Sequence, residues 1–377
     1  MSSDSTLRGA AEQVHGSLSE AERGLLPPGT LDLAVNTNPF GPPEFVERAK
    51  RASSVAAYPD SHGEALVTRW AEALGISRES LVFGAGAVDL IWASVRAFCR
   101  PGQGLVVVAP TFSEPYAAAA AAGATAREVR LLEDLRAPAP DPLELAADIM
   151  AAGEPGLVYL CSPNNPTGHA WSEDELRLLS SALAPVPLLL DESFHSVGRR
   201  LLGTPGIDRL AAAPIPGAIR LRSLTKDFGM PGIRLGYATA SPTLAERVST
   251  QLAPWRISSV AQAVGAELIG SEALDFLASS ADRWQGCADE LERQLLEDKH
   301  TVVRGDCPFV LVEVAQARSA RRALLAQGIH VRDCTSFGLP ATIRVAARPD
   351  VGRRLKLALR ELPRVGGGRG MGTPQTA

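Results

Sequence analysis

The fold is decided by the stretch Ile219-Arg220-Leu221-Arg222-Ser223-Leu224-Thr225-Lys226, which continues through Asp227 into Phe228-Gly229-Met230-Pro231-Gly232-Ile233-Arg234-Leu235-Gly236-Tyr237. A strand-like segment runs up to Ser223, and a lysine stands just beyond its end, ahead of a glycine-rich turn. The chain has only four lysines, Lys50, Lys226, Lys299 and Lys356, and carries most of its positive charge as arginine. Lys50, Lys299 and Lys356 lie in charged amphipathic stretches and read as solvated. Lys226 lies among small residues at a strand end. Desolvation and neighbouring positive charge would let it shed its proton there, as a Schiff-base nucleophile requires.

Upstream stands Ser162-Pro163-Asn164-Asn165-Pro166-Thr167-Gly168, and then Asp191-Glu192-Ser193-Phe194 directly after the apolar run Val186–Leu190. Taken alone, the first reads as a turn and the second as a helix cap. A carboxylate at the carboxyl end of a buried strand also occupies the ligand-facing place of an open α/β sheet. Further apolar runs at Leu105–Ala109, Gly156–Cys161, Ala218–Arg222 and Leu235–Ala240 alternate with amphipathic segments. Continuous apolar runs of this length predict strands buried on both faces, hence an α/β fold with a parallel or mixed sheet covered by helices. Ser172–Leu183 opens on a serine followed by acids, with leucines at helical spacing, and predicts a capped amphipathic helix. The alanine-rich run Tyr116–Ala124 predicts a closely packed helix.

Working outward, residues 1–40 read as an N-terminal arm and 41–250 as a large domain. Residues 251–363 read as a smaller C-terminal α+β domain with a connecting helix, and the glycine-rich 364–377 as a disordered tail. Within the smaller domain, Phe309–Val314, Ile329–Asp333 and Ile343–Ala347 predict strands, and 317–327 and 351–362 predict helices. Lys plus Arg number 38 against 42 Asp plus Glu, a net charge of −4, which argues against a nucleic-acid partner. No apolar run reaches the length of a membrane span, and the N-terminus lacks the features of a secretory signal. Five cysteines, without a CxxC pair or a Cys/His cluster at metal-ligand spacing, fit a reducing, cytoplasmic setting.

The order NNPTG, DESF, SLTK, PGIRLGY resembles the class I/II aminotransferase superfamily of pyridoxal-phosphate enzymes, fold type I, over about His15 to Leu362. Within it the chain is most similar to the branch of histidinol-phosphate aminotransferases and threonine-phosphate decarboxylases. Asn36-Thr37-Asn38-Pro39, Tyr58-Pro59-Asp60, Pro110-Thr111-Phe112, Pro254-Trp255 and Ile343-Arg344-Val345 support the resemblance. It implies pyridoxal 5'-phosphate as cofactor, with a mostly parallel sheet in the large domain. It further implies that Lys226 carries the cofactor and serves as acid or base, while Asp191 keeps the pyridine nitrogen protonated. Asn165 would meet the phenolic oxygen and Phe112 would stack on the ring. Ser223, Arg234 and the loop Gly86, Ala87, Val88 would hold the phosphate at a helix N-terminus. Tyr58 would reach the neighbouring subunit's site, which implies a homodimer. Arg344 would fork the substrate carboxylate.

Asn36 reads either as a turn former or as a substrate-pocket residue, and His15 and Arg332 are similar to positions near the substrate side chain in the decarboxylases. Asp89 reads either as a helix cap or as a cofactor contact, whereas Glu192 and His195 read as structural. Many transaminases of the group carry Tyr where this chain has Phe194, and the decarboxylases resemble this chain in having Phe there. Gly16-Ser17-Leu18 and Gly84-Ala85-Gly86-Ala87 depart from the decarboxylase pattern. The leading expectation is an enzyme working at an amino acid's Cα by α-decarboxylation. Transamination of histidinol-phosphate type, β- or γ-elimination or replacement, and a non-catalytic scaffold are the alternatives.

Overall fold

The computed structural model describes residues 18, 24, 26, 28–131, 135, 136 and 139–363. His15 and the glycine-rich tail lie outside them. The first eight strands are β1 (Leu31–Asp32), β2 (Leu81–Gly84), β3 (Gly104–Ala109), β4 (Ala126–Arg130), β5 (Pro155–Cys161), β6 (Leu188–Asp191), β7 (Ala218–Ser223) and β8 (Gly236–Thr239). Seven of these form one sheet in the order β2-β8-β7-β6-β5-β3-β4. Its β4, β3, β5, β6 and β7 pair in parallel, and β8 runs antiparallel to both β7 and β2. The mostly parallel sheet implied by the resemblance is therefore present.

The middle of the sheet is buried on both faces, which is why β3, β5 and β6 read as apolar runs. On one face Leu105, Tyr159, Leu189 and Leu221 pack with the helix Ala87–Phe98. On the other, Val106, Val158, Leu188 and Leu190 pack with the helices Pro142–Ala151 and Glu173–Ala182. The second of these helices carries the expected capping box, with Ser172 Oγ accepting from Glu175 N and Glu175 accepting from Ser172 N.

Strands β9 (Val302–Val303), β10 (Phe309–Glu313), β11 (Ile329–His330), β12 (Arg332–Asp333) and β13 (Thr342–Ala346) follow the 27-residue helix Ser271–Glu297. Four make an antiparallel sheet, β12-β13-β10-β9. The single strand expected at Ile329–Asp333 is corrected to two. The chain leaves β1, with which β11 pairs in parallel, and crosses at buried Val331 to pair β12 with β13. Four strands escaped the sequence reading, of which β1 and β9 are only two residues long. Strand β4 (Ala-Arg-Glu-Val-Arg) lies at the sheet edge and is mostly polar, and β2 contributes only three apolar residues.

Candidate active site

Each candidate side chain in the large sheet sits at or beyond a strand's carboxyl end, the usual ligand-facing edge of an open α/β sheet. Phe112 follows β3, Asn165 follows β5, Asp191 ends β6, Ser223 ends β7, and the Gly86 loop follows β2. Lys226 lies in the single helical turn Leu224–Asp227 after β7. A cavity of about 630 Å³ is lined by Asn36, Val88, Phe112, Asn165, Lys226, Arg234, Arg332 and Arg344. A deeper one of about 160 Å³ adds Ala87, Asp191, Ser223 and Thr225, and shares Phe112, Asn165, Phe194 and Lys226 with the first. A cleft of about 900 Å³ elsewhere, between Arg78 and Arg256, holds none of the candidates.

At the base of the site, Asp191 is fixed from two sides. Tyr159 Oη donates to its Oδ2 at 2.7 Å and the Ser193 amide donates to its Oδ1 at 2.9 Å. Burial, and then the charge of Asp191, push the Tyr159 phenol well above its ordinary value, so it stays a donor. Burial holds the Lys226 ammonium below its ordinary value against the opposing pull of Asp191. Its Nζ lies 4.3 Å from the centre of the Phe194 ring. Ser193 Oγ, buried and lining the deeper cavity, has no hydrogen-bond partner among the described residues.

The loop before the helix Ala87–Phe98 forms a cradle. Gly86 has φ +85°, a conformation that residues with a Cβ rarely adopt, and a Cβ there would meet Arg234 Nη2 at 2.6 Å and displace the guanidinium. Arg234 itself is held in the left-handed region (φ 59°, ψ 66°), with Nη1 donating to Pro231 O at 3.1 Å and Nη2 to Ala85 O at 3.4 Å. A non-glycine residue in that region is strained, a condition that clusters at ligand sites. Asp89 lines neither cavity and accepts from the Ala85 amide at 2.9 Å, ahead of the N-cap Gly86, so it braces the loop without capping the helix. Ser223 Oγ and Thr225 Oγ1 lie 3.0 Å apart. A helix N-terminus, two hydroxyls and an arginine around a side-chain-free cradle fit a phosphate. With a buried lysine and a carboxylate fixed beside it, the set fits pyridoxal phosphate.

On the facing side, the Arg344 guanidinium donates to Asn165 Oδ1 and, through Nη2, to Ala34 O at 2.7 Å. With its amide oxygen turned inward, Asn36 accepts from Arg344 Nε at 3.1 Å, so it belongs to the pocket rather than to a turn alone. Because Asn165 Oδ1 is taken, its amide nitrogen is the group left for a ligand. Burial lowers Arg344 to about 10. Arg332 lies in the same cavity, donates to Ser336 Oγ at 2.8 Å and stacks 5.0 Å from the Phe337 ring.

Tyr58 is not brought to this pocket. It is 86% exposed and packs on Trp255 at 5.5 Å. Glu192 and His195 also stay out of both cavities. Glu192 accepts from Arg220 and Arg222 at 2.9 to 3.0 Å, and these arginines outweigh burial to hold its carboxyl at about 2. Burial, then Arg222, keep His195 well below its ordinary value. The sequence reading missed Tyr159, and also Trp92 and Glu114, which line the larger cavity and are joined at 2.8 Å. A tyrosine inside the apolar run Gly156–Cys161 was the only sign of the first.

Fold and site together define an enzyme of the pyridoxal-phosphate aminotransferase fold, with its reaction left open. A model of the family "Aminotransferase class I and II" matches residues 28–353, and the chain belongs to that family. It is 31% identical over 341 residues to histidinol-phosphate aminotransferase 1 of Cupriavidus pinatubonensis, covering 87% of each chain. It is 30% identical to histidinol-phosphate aminotransferase 2 of Ralstonia nicotianae, over 90% of this chain and 91% of that one. The fold matches a histidinol-phosphate aminotransferase from Sinorhizobium meliloti solved with pyridoxal-5'-phosphate (TM-score 0.73, 24% identity, 86% and 88% covered). It also matches an L-threonine-O-3-phosphate decarboxylase from Porphyromonas gingivalis (TM-score 0.72, 18% identity, 87% and 98% covered).

Proposed function

We propose that this enzyme transfers the amino group of an anionic, phosphate-bearing amine of histidinol-phosphate type to a 2-oxo acid. This replaces α-decarboxylation, the leading expectation from sequence. Both relatives at 30% identity or more named above are histidinol-phosphate aminotransferases, whereas the decarboxylase likeness is one of fold. The observation that carries the reading is the pair of buried arginines, Arg332 and Arg344, in one cavity with Lys226. Two guanidiniums at one end of a pocket suit a phosphate, or a phosphate and a carboxylate.

Bound pyridoxal phosphate supplies the electron sink for charge that develops at the substrate's Cα. Lys226 would hold it, and the amine, kept short of protons by burial, would then move the Cα proton. Asp191, braced by Tyr159, would keep the ring nitrogen protonated, and Phe112 would stack on the ring. The Asn165 amide would meet the phenolic oxygen. Gly86, Ala87 and Val88 backbone, Ser223 and Arg234 would grip the phosphate. Arg344, Arg332 and Asn36 would orient the substrate so that one Cα bond faces Lys226. The exposed Tyr58 and Trp255 suit a face against a second copy, whose site Tyr58 would enter. His15 keeps its proposed place near the substrate side chain.

The test is incubation of the holoenzyme with histidinol phosphate and 2-oxoglutarate. Glutamate formed in step with loss of the amine supports transamination. Phe194, lacking the hydroxyl of a tyrosine beside Lys226, favours decarboxylation as the second reading. Threonine phosphate releasing CO2 while histidinol phosphate stays inert would establish that one instead.

A further inference from the structure

We infer that Asn38, which has no place in the pocket, is the positioning residue that fixes the backbone carrying Lys226. The inference rests on the reading of Lys226 as the cofactor lysine. The turn Leu224–Asp227 is only four residues long, and the carbonyls at its end have few partners of their own. Two of its closing bonds are long, 3.4 Å from Phe228 N to Leu224 O and 3.4 Å from Gly229 N to Lys226 O, and the third, from Met230 N to Thr225 O, is 3.0 Å. Asn38 supplies shorter ones. Its backbone N donates to Lys226 O at 2.9 Å and its Nδ2 donates to Asp227 O at 2.8 Å.

Every polar atom of the Asn38 side chain is used. Nδ2 also donates to Ser280 Oγ at 2.8 Å, and Oδ1 accepts from Phe40 N at 3.1 Å. The side chain is 2% exposed, so these bonds are not exchanged for water. Around it the two chain segments lie backbone on backbone. A Cβ on Gly229 would come 2.6 Å from Asn38 O, and one on Gly41 would come 2.1 Å from Phe228 O. The segment is tied at its other end to the C-terminal sheet, where Arg348 Nη2 donates to Val35 O at 2.8 Å and Arg344 Nη2 to Ala34 O. Asn38 thus sets the direction of Lys226 relative to the arginine that would hold the substrate.

Three measurements on Asn38→Ala, with Ser280→Ala as control, test this without a substrate. They are amide hydrogen exchange of the apoprotein, the rate at which pyridoxal phosphate alone develops the Lys226-dependent visible band, and the pH midpoint of that band. In Asn38→Ala, exchange at Phe228, Gly229 and Met230 rises about tenfold while β5 to β7 stay unchanged, as loss of a buried hydrogen bond predicts. The band forms about tenfold more slowly, and water reaching Lys226 moves its midpoint up by about half a pH unit. Ser280→Ala, which leaves both bonds to the lysine turn, keeps all three within about twofold. If Asn38→Ala fails to fold, Asn38→Asp, which keeps the size and the acceptor for Phe40 N, is judged by exchange and band rate. Exchange that rises evenly over the large sheet, or a Lys226-dependent band with wild-type rate and midpoint, overturns the inference. A band that persists in Lys226→Ala overturns instead the reading on which it rests.

Discussion

Asp191 and Glu192 are consecutive carboxylates at the end of β6, and they meet opposite fates. Asp191 is braced by Tyr159 and the Ser193 amide and lines a cavity. Glu192 is 1% exposed and spends its oxygens on Arg220 and Arg222, which in turn donate to Glu173, Ala213, Arg209 O and Ala211 O. One acid is enclosed by protein and the other is left facing a space. Charge saturated by the fold maintains the fold, whereas charge aimed into a cavity awaits a ligand.

The comparison breaks most sharply at Lys226. Lys226→Ala should lower turnover by about a thousandfold or more while leaving the melting temperature within a few degrees, checked by amino-transfer assay and calorimetry. Glu192→Gln should do the reverse. It leaves two buried arginines short of a partner and should cost about 3–5 kcal/mol in denaturant unfolding. Because the folded Glu192 carboxyl is held at about 2, below its ordinary value, its contribution is complete above the unfolded value and fades as pH falls toward 2. The acid loss of stability in that window should therefore be shallower in Glu192→Gln than in the wild type.

Smaller substitutions sharpen the contrast. Arg344→Lys keeps the charge but not the fork, and should raise KM for the anionic amine by about 10- to 100-fold with cofactor content unchanged. Gly86→Ala meets both a positive φ and the Arg234 guanidinium. It should weaken pyridoxal-phosphate affinity about tenfold, measured by fluorescence titration of the apoprotein. Tyr159→Phe removes one brace from Asp191 and should reduce turnover about two- to tenfold, with binding of the anionic amine unaffected.

Legibility in the sequence followed locality. Asn165 and Ser223 were legible only through the family resemblance, whereas Lys226 and Asp191 could be read because each follows a short apolar run, and a strand end is a local signal. The capped helix at Glu173–Ala182 was readable for the same reason. What escaped depends on contacts between distant segments. Tyr159 meets Asp191 across two adjacent strands, and Trp92 meets Glu114 between separate elements. Asn38 reaches Asp227 over 189 residues. The division of Ile329–Asp333 into β11 and β12 was hidden because Ile329 and Val331 alternate with polar residues as in one strand, and only their partners, β1 and β13, separate the two halves. Tyr58 was legible only as a family position, and its ring is turned to solvent beside Trp255, outside both cavities.

The cavity around Lys226 is the proposed pyridoxal-phosphate site. Its most direct test is the visible absorption of the protein reconstituted with pyridoxal phosphate, recorded before and after histidinol phosphate is added and compared with Lys226→Ala. The wild type should show a band that is absent from the variant, shifts with histidinol phosphate and returns when 2-oxoglutarate is supplied. A wild-type spectrum indistinguishable from that of Lys226→Ala would contradict it.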